Sequence, residues 1–190
     1  MRKIFSFMAM SVDGYHAGPN QELDWQNLDE EFNAFSLEQL SEVDTLLFGR
    51  VTYEVMVAYW PTQQGTDYDT GIAARMNNVH KIVISRTLDK ADWSNTRLIT
   101  DNIDEELAAV KQRPGKDIAI FGSSTLTANL LRMGLVDELR LLVNPIALGV
   151  GRTLFKSTGE RTRLELLKTR PFKSGNVLLY YRPQATTQTP

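Results

Sequence analysis

The chain has 190 residues, 42% of them hydrophobic and 23% charged, which is the composition of one globular domain with a sizeable core. Its 21 basic and 23 acidic residues give a formal charge of −2 without any block of lysine and arginine, so the footprint of a nucleic-acid-binding protein is missing. With no cysteine and two histidines, the chain offers no thiol nucleophile, disulfide or metal site, and no stretch approaches the roughly 20 apolar residues of a membrane helix. We therefore expect a cytoplasmic protein that binds neither metal, nucleic acid nor membrane.

Apolar, β-rich runs alternate with helical patterns along the chain, which is the order that builds a mostly parallel sheet with crossover helices. Strands are predicted at residues 2–10, 44–49, 79–85, 97–100, 117–121 and 137–144. Helices are predicted at 29–42, 103–112 and 124–133, where apolar residues recur at helical spacing. Two last strands, 161–169 and 175–183, flank a Ser-Gly turn and form an antiparallel pair. We predict a long loop at 61–70, a single domain over 1–183 and a disordered tail over 184–190.

Three strand-to-helix junctions carry the residue types that hold phosphates. Glycine permits close backbone approach, arginine supplies a forked cation, and the start of a helix offers free N–H groups. The residues are Gly49, Arg50 and Thr52 at the first junction, Ser85 and Arg86 at the second, and Gly122, Ser123, Ser124 and Thr125 at the third. Taken singly, the hydroxyls are equally well explained as helix N-caps and the arginines as solvated surface residues. Neither a Rossmann nor a P-loop fingerprint is present, so the set of three junctions is what points to a nucleotide.

Spaced motifs along nearly the whole chain support one family. They are MSVDGYHA at 10–17, GRVTYE at 49–54, Ser85, Gly122, LVDEL at 135–139 and NPIALGVGRTLF at 144–155. In this order they resemble dihydrofolate reductases and, more closely, the reductase domain of riboflavin biosynthesis, over about residues 2–183. The resemblance implies an α/β, three-layer dihydrofolate-reductase-like fold, with a mostly parallel central sheet, an antiparallel C-terminal strand pair and helices on both faces.

The resemblance also implies a cofactor, NADPH, along the carboxyl edge of the sheet. The phosphates would be surrounded by Gly49, Arg50, Thr52, Gly122, Ser123, Ser124 and Thr125, with Ser85 and Arg86 near the 2′-phosphate. Backbone groups of Ala9 and Met10 would meet the nicotinamide amide. The loop from Asp13 to Gly18 would close over it and expel water. On its own, Asp13-Gly14 would be interpreted as an ordinary tight turn.

The substrate side rests on fewer residues. Trp25, Glu31 and Phe35 resemble the segment in which dihydrofolate reductases grip the pterin, and Glu31 and Phe35 share a helix face. Asp13, Glu31 or an ordered water would give the proton. Alternatively, the acidic residues 29–31 merely favour the helix N-terminus. Two departures, Asp24 where a proline is expected and Leu142 where a threonine is expected, weaken dihydrofolate as the substrate.

These expectations combine into a function. We expect an NADPH-dependent oxidoreductase that transfers hydride to a pyrimidine or pterin-like heterocycle, of the 5-amino-6-(5-phosphoribosylamino)uracil reductase type. The zinc deaminase module that accompanies such domains in riboflavin biosynthesis is absent along with every cysteine. A dihydrofolate or pteridine reductase and a non-catalytic nucleotide-binding dimer module are the alternatives. The apolar run at 177–181 predicts a homodimer, although a buried strand would have the same composition.

Overall fold

The computed structural model describes residues 1–155 and 161–184, which form two compact units. The first unit comprises residues 1–3 and 28–123, and the second comprises 4–27 and the described part of 124–190. The strands are β1 Ile4–Ser11, β2 Tyr15–Ala17, β3 Val43–Gly49, β4 His80–Ile84, β5 Thr96–Ile99, β6 Asp117–Phe121, β7 Glu138–Asn144, β8 Arg152–Thr153, β9 Leu164–Pro171 and β10 Val177–Pro183. The helices are α1 Glu30–Ser41, α2 Arg50–Tyr59, α3 Gln63–Tyr68, α4 Thr70–Asn78, α5 Ile103–Gln112 and α6 Ser124–Arg132.

The sheet of the first unit is entirely parallel, with strand order β5-β4-β3-β6. Its central strands are apolar without alternation: Leu46, Leu47 and Phe48 of β3 are all fully buried, as is Ile120 of β6. Strands buried on both faces have this continuous apolar pattern, whereas strands with one solvated face alternate. Helices α1, α2, α4 and α5 belong to the same unit and each buries at least one residue.

The sheet of the second unit has strand order β1-β7-β10-β9 and changes direction within it. Strands β1 and β7 are parallel, whereas β10 runs antiparallel to both β7 and β9. Asp137 fixes the start of the β1 and β7 pair, because its backbone N–H donates to the Ile4 carbonyl and its carboxylate accepts the Ile4 N–H at 2.7 Å. The short strands β2 and β8 form a separate antiparallel pair in the loops of this unit.

Most predicted elements are confirmed to within about three residues, but the predicted loop at 61–70 is wrong. This segment contains α3 and leads into α4, and both helices have side-chain N-caps: the Thr62 hydroxyl accepts from the Gly65 N–H and the Asp69 carboxylate accepts from the Ile72 N–H. At the first residue of the predicted disordered tail, the Gln184 N–H donates to the Arg163 carbonyl at 2.9 Å. Residues 185–190 lie outside the described part of the chain. Among the described residues, no helix is long and apolar enough to cross a membrane.

Candidate functional site

The three predicted junctions meet at one edge of the first unit. In the parallel register, Gly49 at the end of β3 pairs with Ile84 at the end of β4, and Leu47 pairs with Ile120 near the end of β6. Strands that run in parallel present their carboxyl ends at the same edge, which is where open α/β sheets bind ligands. The chain therefore brings Gly49, Ser85 and Gly122 to neighbouring positions, as the sequence predicted.

A direct hydrogen bond joins two of these junctions: the Gly49 backbone N–H donates to the Ser123 hydroxyl at 3.0 Å. Ser123 and the preceding Gly122 both have left-handed backbone angles, with φ of +54° and +71°. A serine in this region is uncommon and is maintained only when its surroundings fix it. A Cβ on Gly122 would lie 3.5 Å from Thr52 of α2, so the backbone turn and the first turn of α2 are close neighbours.

Helix α2 begins at this edge without a side-chain cap, because its N-cap residue is Gly49. The first N–H groups of such a helix lack intrahelical partners and are suited to phosphate oxygens. Nη1 of Arg50, the predicted cation, donates to both carboxylate oxygens of Glu54, at 2.9 and 3.0 Å. Both side chains are almost half exposed, and ion pairs of this kind contribute little stability, so an anion can recruit the guanidinium at small cost.

The second junction consists of the buried Ser85 and the exposed Arg86, and it leads to β5 rather than to the predicted helix. The Ser85 hydroxyl accepts the N–H groups of Thr87 at 3.1 Å and Leu88 at 3.0 Å, which closes the turn after β4. Its oxygen therefore has a structural role, and it also lies 3.5 Å from the hydroxyl oxygen of Thr87. Within the described residues, the Arg86 guanidinium has no hydrogen-bond or ion-pair partner.

The remaining predicted cofactor residues belong to the second unit. Ala9 and Met10 lie near the end of β1, are buried, and pair with Leu142 and Val143 of β7. Ser124 and Thr125 are the first residues of α6. These positions agree with the predicted strand end and helix start.

Asp13 joins two loops of the second unit. Its carboxylate accepts the Ser11 hydroxyl at 2.6 Å, the Gly149 N–H at 2.7 Å and the Leu148 N–H at 3.1 Å. These hydrogen bonds, that from Ser11 first, lower the pKa of Asp13 from 3.8 to about 2. The group is ionised at neutral pH and carries no proton to give. The geometry therefore argues against the predicted role of Asp13 as proton donor and favours a role in holding the loops together.

Gly18, another predicted cofactor residue, lies against Glu22 of the same loop. A Cβ at this position would collide with the Glu22 carboxylate, and the Gly18 N–H donates to the Glu22 carbonyl at 3.0 Å. The glycine is thus explained by the close approach of Glu22. The half-buried Trp25 is attached to the same loop, since its indole N–H donates to the Glu22 carbonyl at 3.0 Å. In the adjoining strand β2, burial lowers the pKa of His16, so this imidazole is neutral at pH 7.

The predicted substrate helix is only partly supported. Phe35 is 2% exposed, lies beside the Phe32 ring and packs in the core, and its contact with substrate stays a prediction. Glu31 is half-buried in the first turn, where Asp29 caps the helix by accepting the Phe32 N–H at 2.8 Å. This arrangement also fits the alternative in which the acidic residues stabilise the helix N-terminus.

Sequence reasoning missed two buried asparagines at the ends of strands in the second unit. The Asn144 side chain accepts the Asn27 N–H at 2.9 Å, and the Asn176 side chain donates to the Asn27 carbonyl at 2.8 Å. Asn144 also donates to the carbonyls of Leu142 and Met10. Together they fix the chain segment that precedes α1. The signal available in the sequence was an asparagine directly before a proline at a strand end, which is a turn signal without a stated partner.

Solved structures show the class of protein to which this fold belongs. A dihydrofolate reductase from Enterococcus faecalis, in complex with NADP(H) and RAB-propyl, superimposes with a TM-score of 0.62 at 17% identity, covering 96% of both chains. A protein of Shewanella sp. PV-4 described as a riboflavin biosynthesis protein gives a TM-score of 0.72 at 22% identity, covering 96% of this chain and 99% of that one. The predicted dihydrofolate-reductase-like α/β fold is therefore confirmed.

Sequence comparison places the chain within this class. The family model of the RibD C-terminal domain matches residues 2–178, and the chain belongs to that family. Protein YyaP of Bacillus subtilis, which is uncharacterized, is 34% identical over 180 residues, which cover 95% of this chain and 94% of YyaP. The family resemblance predicted from the spaced motifs is confirmed.

Proposed function

We propose that this chain is an NADPH-dependent reductase that transfers hydride to a pyrimidine or pterin-like heterocycle, of the 5-amino-6-(5-phosphoribosylamino)uracil reductase type. The observation that carries the proposal is the meeting of Gly49, Ser85 and Gly122 at the carboxyl edge of three adjacent parallel strands. Membership of the RibD C-terminal domain family and the riboflavin biosynthesis description of the Shewanella protein support the substrate class.

The residues at this edge fit the phosphates of a dinucleotide. The uncapped start of α2 supplies N–H donors, and the left-handed Gly122 lets a ligand approach the backbone where a Cβ would otherwise stand. The phosphate groups would be held by Gly49, Arg50, Thr52, Gly122, Ser123, Ser124 and Thr125. Ser85 and Arg86 would hold the 2′-phosphate, and the backbone of Ala9 and Met10 would hold the nicotinamide amide. NADPH, when bound, supplies the hydride.

The tasks left to the protein are positioning, exclusion of water and delivery of one proton. Asp13 contributes to the first two by joining the loop after β1 to the loop after β7. Because the loops occupy the Asp13 carboxylate with three hydrogen bonds, we assign delivery of the proton to Glu31 or to an ordered water.

A thermal-shift experiment tests cofactor choice independently of the substrate. A ligand at 100 times its dissociation constant stabilises a protein by about 2.7 kcal/mol. We expect NADPH to raise the Tm more than NADH does, and Arg86→Gln to remove this difference. Arg163→Gln, which changes an exposed arginine at the start of β9, is the matched control and leaves the difference intact. Equal melting curves with and without NADPH would contradict the proposal.

A turnover assay tests the reaction. The protein is incubated with NADPH and, separately, with 5-amino-6-(5-phosphoribosylamino)uracil and dihydrofolate, and the loss of reduced nicotinamide is followed. Turnover of the uracil compound is expected. Turnover of dihydrofolate alone would assign the chain to the dihydrofolate reductase alternative. Stabilisation by NADPH without any turnover would assign it to the non-catalytic alternative.

We also propose that the protein forms a homodimer, but through a different strand from the one the sequence suggested. Strand β10, which contains the apolar run at 177–181, lies between β7 and β9, and its Leu178 and Tyr180 are buried. Strand β9 lies at the end of the strand order and exposes Leu166 and Leu167. An exposed apolar edge strand is a template for pairing with a second chain.

A further inference from the structure

A second cleft, of about 600 Å³, lies at the opposite end of the strands that form the candidate cofactor edge. It is lined at the amino ends of β3, β4 and β5, where Thr45 pairs with His80 and Lys81 pairs with Thr96. The five residues of β4 separate its two ends by roughly 13 Å at the usual rise per residue. The cleft is therefore distinct from the edge that contains Gly49 and Ser85.

The lining of this cleft is strongly basic. It includes the side chains of Arg2, Lys81, Arg97 and Arg113, against one carboxylate, that of Asp44. Two of the positive charges have carboxylate partners: Arg2 pairs with Asp44, and Arg97 pairs with Glu106 at 2.7 Å. Within the described residues, Lys81 and Arg113 have no carboxylate partner.

Lys81 is 1% exposed, and its ammonium is satisfied only by neutral groups. It donates to the carbonyls of Asn77 at 2.9 Å, Val79 at 2.8 Å and Ser94 at 3.1 Å, and it lies 4.5 Å from the centre of the Trp93 ring. Carbonyl dipoles at the end of α4 stabilise the cation, but within the described residues no carboxylate neutralises it. Its positive charge therefore contributes to the potential of the cleft.

Arg113 follows α5 and is exposed, and its guanidinium has no hydrogen-bond or ion-pair partner in the part of the chain that the structure describes. A planar guanidinium presents paired N–H donors that match the oxygens of phosphate. A concave site with charge of one sign concentrates its field on a counter-ion. Within the described residues, the cleft thus contains one exposed arginine without a carboxylate partner and borders the strand of one buried lysine without a carboxylate partner.

We propose that this cleft binds a phosphate group, free or as part of a small phosphorylated metabolite. Arg113 contacts the phosphate oxygens, and the buried Lys81 supplies a fixed charge behind them. The site lies outside the cofactor edge and does not depend on the proposed reductase activity.

Residue-resolved NMR tests the proposal. Inorganic phosphate is titrated at constant ionic strength with chloride as the balancing anion, and the signals of the Asn95 and Thr96 amides and the Trp93 indole N–H are followed. We expect saturable shifts with a Kd of about 1 mM or tighter. Shifts at the Gly49 and Gly122 amides would report phosphate at the cofactor edge, so the failure of one site is distinguishable from the failure of the other.

Variants separate a specific site from general anion binding. Arg113→Gln is expected to weaken the shifts at Asn95 and Thr96 by about tenfold or more, because it removes a charge-assisted contact. Arg163→Gln, an exposed arginine outside the cleft, leaves them unchanged. Lys81→Met also weakens binding; should this variant fail to fold, Arg113→Gln decides alone. The proposal is overturned if the shifts do not saturate or if Arg113→Gln binds as tightly as the unmodified chain.

A second titration identifies the source of the phosphate. Ribose 5-phosphate that binds more tightly than inorganic phosphate assigns the cleft to a phosphorylated metabolite. Equal affinity assigns it to the free ion. Binding of neither compound contradicts the proposal.

Discussion

The Asp13 carboxylate oxygen lies 2.7 Å from the Gly149 backbone nitrogen, and this hydrogen bond fastens the loop after β1 to the loop after β7. We predict that Asp13→Asn lowers kcat by at least about tenfold, because a loosened loop excludes water less well from the reaction. NADPH binding is expected to change little, since Asp13 contacts no predicted phosphate residue. Steady-state kinetics and a binding titration check both statements, with Asp89→Asn, an exposed aspartate of the first unit, as the control. Loss of NADPH binding in Asp13→Asn would show that the carboxylate shapes the cofactor edge itself.

The same carboxylate makes stability depend on pH in the acid range. Its pKa is about 2 in the folded chain and 3.8 without the native hydrogen bonds, so its contribution to stability is present above pH 3.8 and is lost as the pH falls through 2. The Tm of the unmodified chain should therefore fall more steeply between these values than that of Asp13→Asn. Parallel slopes for the two proteins would contradict the hydrogen-bonded carboxylate described here.

The lowered pKa of Lys81 makes the stability of the fold depend on pH in the alkaline range as well. Burial lowers its pKa from 10.5 to about 8, so between these values the unfolded chain binds more protons than the folded chain, and stability rises with pH. We expect the unmodified chain to gain no more than about 2 kcal/mol relative to Lys81→Met between pH 8 and 10.5, after allowance for solvent screening. Chemical denaturation across this range measures the difference. If the unmodified chain gains no stability over Lys81→Met in this range, or loses some, the Lys81 ammonium is better solvated than the structure indicates.

Two glycines with similar backbone angles allow a matched comparison. Gly122 at the cofactor edge and Gly134 after α6 have φ of +71° and +68°. Replacing either by alanine should destabilise the fold by about 1–2 kcal/mol, since a Cβ disfavours this region. Only Gly122→Ala is expected to weaken NADPH binding as well, because its Cβ would stand at the proposed cofactor edge, 3.5 Å from Thr52. A Cβ at Gly134 would have no described atom within 4 Å. Calorimetry on both variants checks the prediction, and equal NADPH affinity in the two would remove Gly122 from the cofactor site.

The exposed leucines of β9 lead to a prediction about the proposed homodimer. Leu166, with 52% of its surface exposed, lies on the strand proposed to pair with a second chain. Leu166→Lys should shift the protein from dimer to monomer in light scattering coupled to size exclusion, since a charge on an edge strand blocks pairing. Met133→Lys, at the end of α6, is the control and should leave the mass unchanged. A monomeric unmodified protein would rule out the proposed dimer.

The parallel sheet and its ligand edge were predictable because they depend on local signals. A buried strand followed by a glycine and a helix start recurs at Gly49 and Gly122, whereas Ser85 ends a buried strand that leads to β5. Parallel strands align such ends at one edge. Helices α3 and α4 were missed because their caps, Thr62 and Asp69, lie in a polar segment that also has the composition of a loop.

The partners of the loop residues were not predictable. Asp13 contacts Leu148 and Gly149, more than 130 positions later in the chain, so the sequence around Asp13 contains no sign that its carboxylate would be occupied. Phe35 has the helical spacing of a core residue and of a ligand contact alike, and only its burial distinguishes them.

The hydrogen bond from the Gly49 N–H to the Ser123 hydroxyl has a consequence for how an anion arrives at this edge. The serine oxygen already accepts this amide proton, so an anion that binds the Gly49 N–H has to displace the serine oxygen. Ligand entry is then an exchange of one oxygen for another, and affinity depends on how readily the serine gives way. In Ser123→Ala the hydroxyl is absent, so the Gly49 N–H would donate to water. A ligand would then displace that water instead of the serine oxygen.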